Sequence, residues 1–383
     1  MRYVAARAAW ICRSHQKECA PAGTWVDYMQ SNQEWLVFLQ AAGAVLANGE
    51  VSHFGDTESE RRHAAAGDVM ADLSHLSLIS AAGEDAGGFL QGQLSNDISL
   101  VGAARSEIAA YCSPQGRMLA IFRIFMREDT YLLQLPTGLL EPTLKRLRMF
   151  VLRAKVRLED AGAEWVRIGV AGPNTPAILP EAGVPTPDRV DACTTAAEVT
   201  VLRLPGPTPR FELVGRAAAM VRLWTQLRTR LVPVGAASWS WLDLAAAMPT
   251  VLPGTIEQFV PQMANLDLVG GISFNKGCYP GQEIVARMHY LGRLKQRMIR
   301  ARVRTGTRPQ PGAPVYAPDF VGQSAGTVVD AQPGPEDGFD LLAVVQISSI
   351  RNAELHLDSP SGPGLQLLEM PYPLELESAA ASG

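Results

Sequence analysis

The chain has 383 residues, 47% of them hydrophobic and 19% charged, with a formal net charge of −4. That length exceeds what one hydrophobic core usually supports, so two or three domains are expected. The acidic balance argues against wholesale nucleic-acid or membrane-surface binding and leaves any basic site local. No apolar run approaches the roughly 20 residues that span a bilayer. Cysteines 12, 19, 112, 193 and 278 include no C-x-x-C pair, which argues against a disulfide framework and against a resident four-thiolate cluster. A reduced, cytoplasmic setting fits.

In residues 1–28, Arg2, Arg7, Arg13 and Lys17 are opposed by Glu18 alone. The segment reads as a disordered extension ahead of a fold that begins near Met29. The alternative is an amphipathic transit peptide, which would make the location mitochondrial. Residues 35–47 are apolar enough for a buried helix or strand, and 52–68 are polar and read as a loop. Alternation over 71–79 predicts a strand, and 83–94 a helix. Strands follow at 108–112, 118–126 and 131–135, with a turn at 113–116. Residues 139–152 have helical spacing and several basic side chains. A second β/α stretch starts near Trp165, loops are expected over 180–209, and 217–231 reads as a helix. Beyond residue 301, short β-like runs between Gly/Pro clusters suggest a small barrel or sandwich over 301–375, with a tail at 376–383.

The densest signal is at 270–304. Residues 270–274 read as a short strand, 275–281 as a tight Gly/Pro turn, and 282–290 as a helix. A turn opening a helix aims backbone N–H groups at a bound group. Gln282 and Glu283 fall in the first helical turn, where the dipole favours an acid. Lys276 and the helix start place positive potential near Cys278, which favours thiolate. Cys278 is therefore a candidate reactive thiol or transient metal ligand; a small buried cysteine in a turn is the structural alternative. Downstream, Arg287, Arg293, Lys295, Arg297, Arg300, Arg302 and Arg304 occur with no acid between them. They suit either an anionic tail or a solvated edge.

Lys276-Gly-Cys-Tyr-Pro-Gly-Gln-Glu283, with its flanks Phe259-Val-Pro-Gln-Met-Ala-Asn-Leu-Asp267 and Val285-Ala-Arg287, closely resembles the YgfZ family. Asp72-Leu-Ser-His75 and Phe89-Leu-Gln-Gly-Gln-Leu-Ser-Asn-Asp97 match the wider superfamily of glycine-cleavage aminomethyltransferases. The resemblance implies an α+β fold, with two α+β units over 29–300 framing a channel for tetrahydrofolate or a derivative, and a C-terminal β-barrel. It also implies a role in assembly or repair of iron–sulfur enzymes. Its partners would be those clients or cluster-assembly proteins, and support of tRNA modification would be indirect, without direct tRNA contact.

Two departures from the pattern narrow the chemistry. Ala120 and Ile121 stand where aminomethyltransferases carry an acidic pair, so that one-carbon transfer is disfavoured; a folate-dependent transferase or demethylase of another substrate is the alternative. Ala245 stands where relatives carry a second acid, which leaves the reader of the pterin ring open. Gln262 and Asn265 are the amide candidates, and Asp243 is a displaced carboxylate on a run read as strand. Gln282, Glu283 and Arg287 complete the expected binding set.

Overall fold

The computed structural model describes residues 24–292, 294–352 and 354–374. Two sheets, with helices packed around them, form the body. A five-stranded antiparallel sheet runs in the order Glu107–Cys112, Met118–Arg127, Thr130–Pro136, Leu76–Ala82, Arg157–Asp160. A six-stranded sheet runs Cys193–Ala196, Val199–Leu204, Arg210–Gly215, Val166–Ala171, Val69–Asp72, Val232–Val234. It is antiparallel except for its last pair. A layer containing Trp239, Leu78, Phe125 and Val214 joins elements of both sheets. On the second sheet, Trp35 of the helix Thr24–Ala41 packs edge-on to Trp224 of the helix Ala217–Leu227, 5.6 Å between rings. Its indole donates to the buried Asp72 carboxylate at 2.8 Å.

The C-terminal sheet has six strands in the order His356–Leu357, Pro314–Tyr316, Gly326–Pro333, Phe339–Gln346, Gln296–Val303, Leu365–Leu368. It curls until its edges meet: Leu357 N–H donates to Pro363 O and Leu365 N–H to Leu355 O, at 2.9 and 2.8 Å. Along Gln296–Val303, Ile299, Ala301 and Val303 fill the curl, while Met298 joins the core of the first unit. That strand begins ahead of residue 301, so the C-terminal sheet starts earlier in sequence than the barrel-like rhythm suggests.

Several local expectations are corrected. Residues 52–68 are not a loop: a strand, Glu50–His53, is followed by a helix, Thr57–Ala66, capped by the Asp56 side chain. Only Glu60 and Ala64 of that helix are buried, so it carries no apolar stripe to read. Within 180–209, strands Cys193–Ala196 and Val199–Leu204 form a hairpin that the flanking prolines obscure. Residues 71–79 are two strands, separated by a turn in which Leu76 N–H donates to Leu73 O. No strand forms over 270–274; Gly270 has φ +76° and the segment is held by single hydrogen bonds to 95–96. The first helix starts at Thr24, ahead of Met29. Residues 1–23 and 375–383 lie outside the described residues.

Four strands, Val69–Asp72, Glu107–Cys112, Val166–Ala171 and Arg210–Gly215, are buried along their whole length. Strands covered on both faces are normally apolar throughout. These carry Glu107, Arg167, Arg210 and Glu212, each under 7% exposed. Buried charge without compensation is costly, and of these side chains Glu107 meets Arg105 and Asn96, and Arg210 meets Asp243.

Candidate functional site

Both sheets, the helix Ala236–Ala245 and the C-terminal sheet line one cavity of about 510 Å³. Its polar wall includes His75, Arg123, Gln134, Glu212 and Asp243, with Arg308 and Asp330 from the C-terminal side. Three buried atoms on that wall have no hydrogen-bond partner: His75 Nδ1, Gln134 Oε1 and Glu212 Oε1. Buried polar atoms are normally hydrogen-bonded, so these three are free to meet a bound group or water in the cavity. Burial pushes the Glu212 carboxyl up to about 7, with Arg167, Arg123 and the Gln134 amide pulling it back. Burial likewise lowers His75, against the upward pull of Asp72 and Asp243. Around neutral pH the cavity lining therefore offers a neutral imidazole and, at another position, a carboxyl near its midpoint. Arg123 spends Nη1 on Asp191 (2.6 Å) and Ser106 (3.2 Å).

Of the site residues expected from sequence, Asp243 alone reaches this cavity, and it does so from a helix rather than a strand. It pairs with Arg210, whose fully buried guanidinium also donates to Leu242 O and lies 4.8 Å from the Trp239 ring centre. Asp243 is thus the counter-ion of Arg210, at the cavity rim. Ala245 is buried on the same helix. On the opposite wall, Ile121 lines the cavity and Ala120 is buried in the core beside it. A carboxylate at 121 would face the cavity; here the surface is a branched alkyl group.

The other candidates form a second assembly. Lys276 Nζ donates to Gln91 O, Leu94 O and Asn96 O at 2.6, 2.5 and 3.0 Å. Ser95 Oγ donates to Gly271 O and the Asn96 amide to Gly270 O, while Ser273 N–H donates back to Ser95 O. The segments 89–97 and 270–276, far apart in sequence, are therefore one interlocked unit. Burial lowers the Lys276 ammonium to about 8, with Asp97 raising it. Its charge is turned into carbonyls, so it anchors the turn. Tyr279 is buried under it, with the ammonium 5.2 Å from the ring centre.

Cys278 itself is exposed, which overturns the buried-turn alternative. By contrast Cys112 and Cys193 are buried, and burial pushes their thiols up to about 12 and about 11. Buried thiols of that kind are inert. The helix Gln282–Tyr290 forms as its spacing predicts, opened by Gly281 at φ +80°. A Cβ on Gly281 would stand 2.4 Å from Ser113 O, so the 113–116 turn can close on the helix start only over glycine. Gln282 is half-buried; Glu283 and Arg287 are exposed, and none of the three lines the cavity.

Gln262 and Asn265, the expected amide candidates, do not line this cavity, and the buried Gln262 Oε1 has no partner. Gln262 donates from its side chain to Val285 O at 2.7 Å. Asn265, in the left-handed region at φ 59°, donates to Met298 O and accepts from Met298 N–H. Both amides tie the 261–265 turn to neighbouring elements, away from the cavity. The arginine run is also largely committed: Arg297 pairs with Asp267, and Arg302 with Asp340 and Glu336. Arg293 lies outside the described residues.

Comparison with known proteins fits this geometry. No family model matches the chain. It is 31% identical over 230 residues to the tRNA-modifying protein YgfZ of Colwellia psychrerythraea, covering 60% of this chain and 70% of that one. It is 30% identical over 301 residues to the protein of the same name from Edwardsiella ictaluri, covering 77% and 89%. The chain belongs to the YgfZ family. Its fold matches that of the glycine cleavage system aminomethyltransferase T from Bartonella henselae, with a TM-score of 0.72 at 19% identity, over 88% of this chain and 96% of that one.

Within this YgfZ-family chain, sequence reasoning missed Glu212, Gln134 and the cavity role of His75. Glu212 had a signal: an acid within the apolar run Phe211-Glu-Leu-Val214, where alternation alone does not explain it. Gln134 and the orphaned imidazole atom had none, because both depend on how the two sheets face each other. Among the described residues no helix is long and apolar enough to cross a membrane, and no cluster of His, Cys, Asp and Glu is arranged to hold a metal.

Proposed function

We propose that the protein binds a reduced folate, with the pterin in the 510 Å³ cavity, and serves assembly or repair of iron–sulfur enzymes. The observation that carries the folate reading is the set of unpartnered atoms on one wall, Glu212 Oε1, Gln134 Oε1 and His75 Nδ1. A pterin presents an adjacent ring N–H and amino group that a carboxylate matches with two charge-assisted hydrogen bonds. Glu212 would then read the pterin that Ala245 leaves without an acid, and Gln134 would supply a further acceptor. The cavity volume is that of a small-molecule site. Arg123 and Arg308 also line the cavity, each already paired, with Asp191 and Asp330.

What the bound folate supplies is a reduced pterin able to carry one-carbon units. The residues of this chain hold and orient it, but Ile121 leaves no carboxylate to stabilise a cationic folate nitrogen on that wall. Aminomethyl transfer is accordingly not the proposed reaction. The exposed Cys278 thiol is the group we assign to sulfur, iron or adduct handling. Lys276 holds the turn that presents it. Support of tRNA modification, the property in the relatives' names, would follow indirectly through thiolating iron–sulfur enzymes. A folate-dependent transferase or demethylase of another substrate is the second reading, favoured by the titratable pair His75 and Glu212.

The test is complementation of a deletion strain, scored by iron–sulfur enzyme activities. The wild-type chain should restore them, and Cys278→Ala and Glu212→Gln should not. Full restoration by Cys278→Ala would remove the reactive thiol, and full restoration by Glu212→Gln would remove the cavity reading.

A further inference from the structure

The helix Leu140–Met149 and the turn after it expose Met149, Phe150 and Leu152 at 65%, 41% and 87%. No other stretch of four described residues exposes three large apolar side chains. Leu152 also sits at φ 44°, in the left-handed region. Leucine rarely adopts that conformation, and glycine or asparagine would serve the turn with less strain. Here the strained residue contributes almost no burial to the fold, so its cost is not offset within this chain. Backbone strain of this kind concentrates at ligand-contacting positions.

The rim is cationic but sparing. Lys145 and Arg153 are exposed and have no ion pair among the described residues. Arg148 is turned into Leu158 O through Nε and Nη2, Lys155 pairs with Glu84, and Arg157 with Glu159. Two free cations around three apolar side chains are too few for a phosphate backbone, and Phe150 is the one ring available for base stacking. The pattern is that of a protein interface: a desolvated apolar centre with a charged rim. The N-terminal segment of this chain, with Arg2, Arg7, Arg13 and Lys17, has the wrong charge to cover it.

We infer that Met149, Phe150 and Leu152 form a docking surface for a protein partner that offers an apolar socket rimmed by carboxylates. Lys145 and Arg153 set its orientation by charge complementarity.

The test places a photoreactive phenylalanine derivative at Phe150 in the full-length chain in cells, with the same group at the 91% exposed Val321 as control. Crosslinked peptides are then sequenced. The expected result is one protein partner, crosslinked at position 150 and not at 321, through a peptide with at least two carboxylates near an apolar residue. Lys145→Glu with Arg153→Glu should cut the yield tenfold or more, and Lys145→Arg with Arg153→Lys should retain it. Crosslinks to RNA, to lipid, to a second copy, or to the chain's own acidic tail at Glu375 and Glu377 would overturn the inference. So would equal yields at 150 and 321, or insensitivity to the charge reversal. Thermal unfolding of each variant keeps misfolding separate from lost docking.

Discussion

At the residue scale, Glu212 and Lys276 carry the sharpest consequences. The folded protein holds Glu212 up near 7, above the ordinary carboxylate value of 4.5. The sign follows from linkage: the folded state binds more protons, so the protonated group's contribution is fully present below the ordinary value and is lost as pH rises through about 7. Unliganded protein should therefore melt at falling temperature between pH 5 and 8, and Glu212→Gln should flatten that slope; scanning calorimetry across pH measures both. Lys276 raises a different expectation. Removing an ammonium that serves three carbonyls leaves them unpaired, so Lys276→Met should cost about 2 kcal/mol in a denaturant titration. Cys278 is exposed and touches little, so Cys278→Ala should change stability by no more than about 0.5 kcal/mol. A large loss would mean that the thiol is structural.

At the element scale, the helix Gln282–Tyr290 was legible residue for residue, because Gly281 opens it and no proline interrupts it. The neighbouring stretch 270–274 was misread as a strand, since its partners lie at 95–96, about 175 positions away, and periodicity carries no record of them. Gln262 and Asn265 look like binding amides in sequence, and in the fold their NH2 groups donate to the Val285 and Met298 carbonyls. Amide identity alone does not distinguish a ligand contact from a tie between elements. The tight closure of Gly281 on the 113–116 turn yields its own prediction. Gly281→Ala needs a left-handed alanine and pushes Cβ into Ser113 O, so it should destabilise by about 2 kcal/mol or more. Hydrogen exchange should then speed up at 271–276 and 94–97 while leaving Phe339–Gln346 protected.

At the scale of the whole molecule, the two α+β units and the curled C-terminal sheet were readable, because strands, turns and the family motifs all agree on them. The cavity was not. Its wall draws on both sheets, one helix and the C-terminal sheet, and only their packing brings His75, Gln134 and Glu212 together. The C-terminal sheet is itself locked to the body by Asp340, which accepts from Arg302 and from the Trp241 indole at 2.6 and 2.8 Å. Replacing that buried acid with Ala strands both donors. Asp340→Ala should cost about 3 kcal/mol and weaken folate binding without touching a cavity-wall side chain.

The most direct measurement is anaerobic titration calorimetry of tetrahydrofolate into the wild-type chain and Glu212→Gln at pH 7.5. Folate binding through Glu212 predicts one site per chain for the wild type and at least tenfold weaker binding for the variant, with an unchanged melting profile for the C-terminal sheet. No heat of binding to the folded wild type, or equal affinity in the variant, would contradict it.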